Sequence, residues 1–202
     1  MIVKVCGVTT VADAEVCVAA GVDLIGVNLV ASSARRVDLE TARAISDAVR
    51  GRVEVVGVVA DRDLATLRRW TDEAGLDRLQ LHGDEPPSAL EALGPVAFKA
   101  VRIGGVDDVA LASRFGGDVL LVDAKVAGAL GGTGRTIDPE LVAPLARGRR
   151  VLLAGGLTPD NVAAAVRAVR PWGVDVASGV ESSPGVKDGR KVTAFVEAAR
   201  GA

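Results

Sequence analysis

The sequence has few of the side chains that bind nucleic-acid bases or zinc. Only 2% of its 202 residues are aromatic, none is tyrosine, and it contains two cysteines and one histidine. So few aromatic rings argue against a platform for stacked bases. Two cysteines and one histidine are too few for a structural zinc site with four ligands, and they give no disulfide framework. We therefore expect no metal and no nucleic-acid partner.

The sequence also lacks a strong charge of one sign and a long hydrophobic run. Its 24 basic residues face 26 acidic ones, for a net charge of −2, which gives no electrostatic reason to bind nucleic acid or an anionic membrane. No apolar run is long enough to span a bilayer, and no leader pattern opens the chain. A hydrophobic content of 49% excludes disorder. We expect one cytoplasmic domain over residues 1–202.

Short runs rich in valine, leucine and isoleucine alternate with amphipathic segments along the whole chain. Such runs are typical of strands that are buried on both faces. The eight predicted strands are residues 2–6, 24–27, 53–58, 78–81, 97–101, 119–122, 151–153 and 174–176.

Helix-capping signals lie between these strands. Thr10 and Asp38 each have the spacing of a residue that caps the N-terminus of a following helix. Thr158 is expected to cap a helix that has Pro159 in its first position and the apolar residues 162–169 on its buried face.

Strands that alternate with helices pair in parallel through right-handed crossovers. Eight units of about 25 residues each admit an open doubly wound sheet or a closed barrel. An open sheet usually carries a nucleotide-binding loop after its first strand, but here the residues are Cys6-Gly7-Val8-Thr9. We therefore predict an α/β fold, a compact (β/α)8 TIM barrel in one domain.

Polar residues are placed where a barrel of this kind has its active site, at the carboxyl ends of the strands. They are Cys6, Arg35, His82, Arg102 and Asp123. Loop residues are often polar without a function, so the prediction depends on the set and not on any one member.

Three glycine-rich loops follow the last three predicted strands. They contain Gly131-Gly132-Thr133-Gly134, Gly155-Gly156 and Ser178-Gly179. Glycines let successive backbone N–H groups approach an anion, and barrels commonly bind phosphate in the loops after strands 7 and 8. A single glycine pair is more often a turn or a helix end, but three adjacent loops favour a phosphate site. No Walker-type Gly-Lys-Ser/Thr follows, which indicates a small sugar phosphate.

A buried ion pair is expected inside the barrel. Lys4 shares a face of the first strand with Cys6, so it points inward below the thiol. A buried ammonium needs a partner, and Asp175 is the best candidate because the last strand closes against the first. The alternative is a lysine that extends from the bottom of the barrel into solvent.

At these residues the sequence resembles the phosphoribosylanthranilate isomerases of tryptophan biosynthesis. Seven motifs in order carry the resemblance, at residues 4–9, 79–85, 121–123, 131–136, 153–162, 173–181 and 184–188. The resemblance implies a cofactor-free Amadori rearrangement of N-(5'-phosphoribosyl)anthranilate to 1-(2-carboxyphenylamino)-1-deoxyribulose 5-phosphate. The enzyme would be a monomer or a homodimer whose only required partner is this small-molecule substrate.

The resemblance also implies roles for individual residues. Cys6 would be the general base and Asp123 the general acid. Arg35 would meet the anthranilate carboxylate, although Arg36 beside it is an alternative. His82 would line the site or orient its neighbours. The residues expected to hold the phosphate are Gly132, Gly134, Gly155, Gly156, Ser178 and Gly179.

The chemistry places a demand on each catalytic group. An acid must protonate the ribose ring oxygen to give a Schiff base, and a base must then remove the proton from the neighbouring carbon. The carboxyl of Asp123 must therefore hold a proton near neutral pH, and the thiol of Cys6 must become a thiolate. We expect Lys4 or nearby amide dipoles to lower the pKa of Cys6.

The sequence departs from the family pattern around the expected anthranilate ring. Smaller or non-aromatic residues stand at several places where the family has aromatic side chains, proline, asparagine or serine. They are Val27, Leu29, Ala34, Ile137, Pro139 and Ala177. The loss of aromatic walls weakens stacking on the ring, so affinity and substrate range stay open.

Two other functions are compatible with parts of the pattern. An aminoaldose isomerase of histidine biosynthesis uses a related barrel, but it usually has a carboxylate where this chain has Cys6, and a second phosphate site in its first half. A non-catalytic sugar-phosphate binding protein would be expected to lose the acid or the base, whereas Cys6 and Asp123 are both present.

Overall fold

A computed structural model describes residues 1–124 and 139–202 of the chain. Within these residues, eight parallel strands close into a barrel in chain order, β1 to β8. The strands are β1 (Ile2–Cys6), β2 (Leu24–Asn28), β3 (Glu54–Val59), β4 (Arg78–Leu81), β5 (Ala97–Ile103), β6 (Val119–Ala124), β7 (Arg150–Leu153) and β8 (Gly173–Val176). The predicted barrel is confirmed, and each predicted strand is present with its ends shifted by at most two residues.

The described helices follow the strands around the outside of the barrel. They are α1 (Val11–Ala19), α2 (Leu39–Val49), α3 (Leu64–Ala74), α4 (Pro87–Leu93), α5 (Val106–Ala112), α6 (Pro139–Gly148), α7 (Val162–Val169) and α8 (Gly189–Arg200). Between β8 and α8, a short hairpin forms from β9 (Glu181–Ser183) and β10 (Val186–Lys187). Short 3-10 turns cover Gly94–Val96 and Ser178–Val180.

Two of the predicted helix caps are confirmed. The Thr10 side chain accepts a hydrogen bond from the backbone of Asp13 before α1, and Asp38 accepts one from Thr41 before α2. A short polar side chain can satisfy an N–H group that has no partner within the helix, which is why these two positions begin helices.

The predicted start of α7 is wrong. The helix begins at Val162 with Asn161 before it, and Thr158 and Pro159 lie in a preceding turn. The side chain of Asn161 accepts a hydrogen bond from the Thr158 backbone at 2.8 Å and donates one to the Gly156 carbonyl at 2.9 Å. These two bonds hold the segment as a turn, which the Thr-Pro spacing alone does not reveal.

Apolar side chains on the two faces of each strand form two separate apolar cores. One lies between the strands and the helices, and includes buried residues such as Val5, Ile25 and Leu120. The other fills the inside of the barrel, and includes Leu24, Phe98, Leu121 and Leu152. Because neighbouring residues of a strand point to opposite sides, the residues that share the inward face near the carboxyl ends meet above this inner core.

Candidate active site

A cavity of about 260 Å³ opens at the carboxyl ends of the strands. Seven of the residues predicted for the site line it. They are Cys6, Arg35, His82, Asp123, Gly155, Gly156 and Ser178. Gly132 and Gly134 lie outside the described residues. Gly179 is not among the lining residues. It packs against the carbonyl of Leu157, where a Cβ would overlap the oxygen.

The predicted ion pair between Lys4 and Asp175 is confirmed. The two residues are direct neighbours across the β1–β8 pairing, and Lys4 Nζ lies 2.8 Å from Asp175 Oδ1. Lys4 is completely buried. Burial favours the neutral amine and so acts to lower the pKa of Lys4, but the charge and hydrogen bond of Asp175, together with Cys6, outweigh it and raise that pKa.

Cys6 sits directly above this pair. A Cβ at Gly26, its neighbour on β2, would lie 2.9 Å from Cys6 Sγ and 3.1 Å from Lys4 Nζ. Because Gly26 has no side chain, the thiol of Cys6 and the ammonium of Lys4 have the space to lie close together.

The pKa of the Cys6 thiol is raised above its ordinary value. Burial is the largest cause, and Asp175 adds to it, while the positive charges of Lys4 and Lys187 oppose it. Lys4 thus lowers this pKa as expected, but its effect does not overcome burial, and the net shift of the Cys6 pKa is upward. Cys17, which faces the core from α1, has its pKa raised to about 12, as expected for a structural thiol.

Arg35 is held in the cavity by a buried carboxylate. Its Nε and Nη2 donate to the two oxygens of Glu181 at 2.7 and 2.6 Å. Lys187 Nζ bonds to the same carboxylate at 2.8 Å and to the Cys6 carbonyl at 2.7 Å. Burial alone would raise the pKa of Glu181, but the two cations outweigh it and hold that pKa below its ordinary value.

The structure separates the two neighbouring arginines. Arg35 passes beside Gly7, where a Cβ would overlap its side chain, and reaches the cavity. Arg36 is exposed and lines a different groove together with Trp70. Of the two, Arg35 is the one placed to meet a ligand in the barrel mouth.

His82 stands between Gln80 and Asp123 on the opposite side of the cavity. Its Nδ1 lies 2.8 Å from Gln80 Nε2, and its Nε2 lies 3.9 Å from Asp123 Oδ2. The pKa of His82 is lowered to about 4, first by burial and then by the charges of Arg102, Lys4 and Lys99, with Asp175 opposing. The imidazole is therefore neutral at physiological pH.

Two glycines of the loop after β7 have backbone angles that other residues rarely adopt. Gly155 and Gly156 have φ values of 97° and 64°, a region that glycine adopts without strain. Both residues line the cavity with Ser178 from the loop after β8. These are the two loops in which barrels commonly bind phosphate.

Three residues of the site, Gln80, Glu181 and Lys187, are not among the residues predicted for it. Gln80 could have been identified from the sequence, because it shares a strand face with His82. Glu181 and Lys187 lie in two of the motifs that carry the resemblance, at residues 173–181 and 184–188. Their contact with Arg35 could not be foreseen, because Arg35 is 146 residues from Glu181 along the chain and only the closed barrel brings them together.

Neither a metal site nor a membrane-spanning helix is present in the described ranges. No group of three or more His, Cys, Asp and Glu side chains is placed there to hold a metal ion. No helix in that part of the chain is long and apolar enough to cross a membrane.

Known proteins resemble the chain over its whole length. The profile of a family described as "N-(5'phosphoribosyl)anthranilate (PRA) isomerase" matches residues 3–198. The N-(5'-phosphoribosyl)anthranilate isomerase of Myxococcus xanthus (strain DK1622) is 49% identical over 203 residues, which cover 98% of this chain and 95% of the relative.

Solved structures of phosphoribosylanthranilate isomerases are also similar to this chain. A crystal structure of mutually generated monomers of dimeric phosphoribosylanthranilate isomerase from Thermotoga maritima superimposes with a TM-score of 0.87, at 34% identity and with 100% of both chains covered. A phosphoribosyl anthranilate isomerase in complex with reduced 1-(o-carboxyphenylamino)-1-deoxyribulose 5-phosphate gives a TM-score of 0.86 at 31% identity, again with 100% of both chains covered.

Proposed function

The chain belongs to the N-(5'-phosphoribosyl)anthranilate isomerase family, and on that premise we propose how its barrel mouth performs the family's Amadori rearrangement in tryptophan biosynthesis. The substrate is N-(5'-phosphoribosyl)anthranilate, and the product is 1-(2-carboxyphenylamino)-1-deoxyribulose 5-phosphate. The observation that carries the proposal is that Cys6 and Asp123 line one cavity with Gly155, Gly156 and Ser178. The family favours this reaction over the aminoaldose isomerase and the non-catalytic binding protein.

Asp123 is the general acid of the first step. Its carboxyl group gives a proton to the ribose ring oxygen while the bond between that oxygen and C1' breaks. The electron pair of the bond goes to the oxygen, and the anthranilate nitrogen shares its lone pair with C1'. The product of this step is an open-chain sugar joined to anthranilate through a positively charged Schiff base.

Cys6 is the general base of the second step. Its thiolate removes the proton from C2', and the electrons of that C–H bond neutralise the Schiff base to give an enolamine, which tautomerises to the ketone. Because burial raises the pKa of Cys6, the thiolate needs an additional positive charge nearby. The Schiff base supplies that charge beside the proton to be removed, and Lys4 and Lys187 act in the same direction.

Arg35 and the glycine loops orient the substrate between these two groups. The bonds to Glu181 occupy Nε and Nη2 of Arg35 and leave Nη1 to donate to the anthranilate carboxylate, so the guanidinium is held in place before the ligand arrives. The loops after β7 and β8 then receive the phosphate through backbone amides at Gly155, Gly156, Ser178 and Gly179. Gly132 and Gly134 are proposed to complete this site.

The remaining features of the proposal follow from this chemistry. One acid and one base are sufficient, so the mechanism uses no cofactor or metal, and the small-molecule substrate is the only partner it requires, with no nucleic acid and no membrane. A base thiol must stay reduced, which favours the cytoplasm. The chain acts over residues 1–202 as a monomer or a homodimer, and the Thermotoga maritima relative described as dimeric is consistent with the second.

The test is the loss of anthranilate-type fluorescence when the purified chain meets freshly made N-(5'-phosphoribosyl)anthranilate. We expect rapid loss that a metal chelator does not slow. Cys6→Ser and Asp123→Asn should each lower turnover by roughly a hundredfold or more, whereas Cys17→Ala, a matched control, should keep its rate. A near-normal rate in either active-site variant would refute that residue's role, and no fluorescence loss with the unaltered chain would refute the function.

A further inference from the structure

Gln80 is a buried polar residue inside the barrel for which the mechanism above has no use. It lies on β4 between Val58 of β3 and Phe98 of β5 and is 1% exposed. Among the described residues its Oε1 has no hydrogen-bond partner. A buried carbonyl without a partner is unfavourable for folding, so an apolar side chain of similar size would suit the barrel better. The contribution of the amide lies in its bond to His82.

That bond determines which ring nitrogen of His82 carries the proton. The amide nitrogen of Gln80 is a donor only, and it lies 2.8 Å from His82 Nδ1, so Nδ1 must accept. Since His82 is neutral, with a pKa of about 4, its single ring proton is then on Nε2. The groups that act on the ring charge come from β1, β5 and β8, and they are Lys4, Lys99, Arg102 and Asp175.

Nε2 is the nitrogen that faces the general acid. It lies 3.9 Å from Asp123 Oδ2. This separation is too long for a hydrogen bond, but catalytic hydrogen bonds commonly tighten when the substrate binds. With the opposite tautomer, the lone pair of Nε2 would face Asp123 and compete for the proton that the substrate must receive.

We propose that Gln80 is a positioning residue that holds His82 as the Nε2–H tautomer, so that His82 donates to Asp123 Oδ2 and the acidic proton of Asp123 stays on Oδ1. The proposal depends on the proposed role of Asp123. Once Oδ1 has given its proton to the ring oxygen of the substrate, the same N–H group stabilises the remaining carboxylate, and His82 neither gains nor loses a proton.

The single histidine of the chain makes the tautomer directly measurable. In a protein labelled with ¹⁵N-histidine, a long-range ¹H–¹⁵N correlation spectrum at pH 7 reports one imidazole ring, with no assignment needed. We expect a protonated Nε2 and an unprotonated Nδ1 in the unaltered chain. A protonated Nδ1 would refute the proposal. This measurement uses no substrate, so it is independent of whether the proposed function is correct.

Two variants extend the test. Gln80→Glu places an acceptor against Nδ1 and should reverse the tautomer, whereas Gln80→Leu removes the preference. Both should lower kcat for N-(5'-phosphoribosyl)anthranilate by roughly 10–100-fold, the range for losing the residue that orients a metal-binding histidine, with little change in KM. Unchanged kcat in a folded Gln80→Leu variant would refute the proposal.

A double-substitution cycle separates positioning from a general structural effect. If Gln80 acts through His82, then Gln80→Leu should cost little further activity in a His82→Asn background. Losses that multiply would show that Gln80 acts independently of the histidine, against the proposal. These kinetic experiments require turnover by the unaltered chain. If the unaltered chain shows no turnover, the proposed function is refuted, and the tautomer measurement remains the test of the Gln80–His82 contact.

Discussion

Replacing Lys4 by methionine should lower the free energy of unfolding by about 3–5 kcal/mol, the range for removing one partner of a buried ion pair. Lys4 is 0% exposed, and the Asp175 side chain beside it is 10% exposed. Methionine fills a similar volume, so the cost comes from leaving the Asp175 carboxylate buried without its cation and not from a cavity.

The double variant Lys4→Met/Asp175→Leu should recover most of this loss, because replacing both partners by apolar residues removes the uncompensated charge. The strong coupling between the two substitutions is then the signature of the pair. For a chain of this length, 3–5 kcal/mol corresponds to a fall in Tm of roughly 6–20 °C. Urea unfolding followed by circular dichroism measures both single variants and the double variant.

A surface pair provides the matched control. Arg43 and Asp47 are also 2.8 Å apart, but their side chains are 47% and 48% exposed, so Arg43→Met should scarcely change the unfolding midpoint. If Lys4→Met costs no more than this control, or if the double variant is as unstable as the sum of the singles, then the buried pair does not stabilise the barrel as argued.

The stabilisation that Lys4 provides should be lost at high pH. Because Asp175 and Cys6 raise the pKa of Lys4 above its ordinary value, the contribution of Lys4 to stability is fully present at neutral pH. It is lost only as the pH rises past about 10, the ordinary lysine pKa, and through the folded-state value. The same substitution also removes a charge that lowers the pKa of Cys6, so the remaining activity should have a more alkaline pH optimum.

Three further predictions concern the mouth of the barrel. The pKa of His82 is lowered to about 4, so between pH 6.5 and 4 the unfolded chain binds a proton on this histidine and the folded chain does not. The free energy of unfolding should therefore fall by up to about 3 kcal/mol over this pH range. Denaturant titrations at each pH should show this slope reduced in His82→Asn. Glu181→Gln should raise KM by roughly 10–100-fold with little change in kcat, because Arg35 loses a charged hydrogen-bond partner of the kind worth about 1.5–3 kcal/mol. Steady-state kinetics measure this change. Gly179→Ala should lower stability by about 1–3 kcal/mol in thermal unfolding, because its Cβ would overlap a main-chain carbonyl, whereas Gly148→Ala, with nothing within 4 Å of its Cβ, should not.

Each of these predictions has a clear contrary result. Equal pH slopes in the unaltered chain and His82→Asn would show that the histidine titrates alike in the folded and unfolded states. An unchanged KM in Glu181→Gln would show that Arg35 needs no carboxylate to hold it. Equal melting temperatures for the two alanine variants would show that the close approach at Gly179 is not maintained in solution.

The order of secondary structure elements could be predicted from the sequence because its causes are local. Runs of β-branched and leucine residues indicated the strands, and polar side chains such as Thr10 and Asp38 marked helix starts through bonds to residues three positions away. The alternation of strands and helices then required parallel pairing, and the absence of a nucleotide loop favoured the barrel. The turn before α7 was not predictable in this way, because the side chain of Asn161, and not that of Thr158, makes its two defining bonds.

Part of the site was also predictable from the sequence. The period of two along a strand placed Lys4 below Cys6, and the closure of β8 on β1 identified Asp175 as its partner. The residues at strand ends share one rim in any barrel of this kind, so Cys6, His82 and Asp123 were expected near one another before any distance was known.

The tertiary structure alone decided the electrostatics of that site. Burial, which no sequence pattern measures, raises the pKa of Cys6 and lowers that of His82. The choice of Arg35 over Arg36, and the carboxylate of Glu181 that holds it, depend on contacts between residues 146 positions apart. A pKa and a hydrogen bond depend on the distances among all nearby charges and on how much water remains between them, and the chain acquires those distances only when the barrel closes.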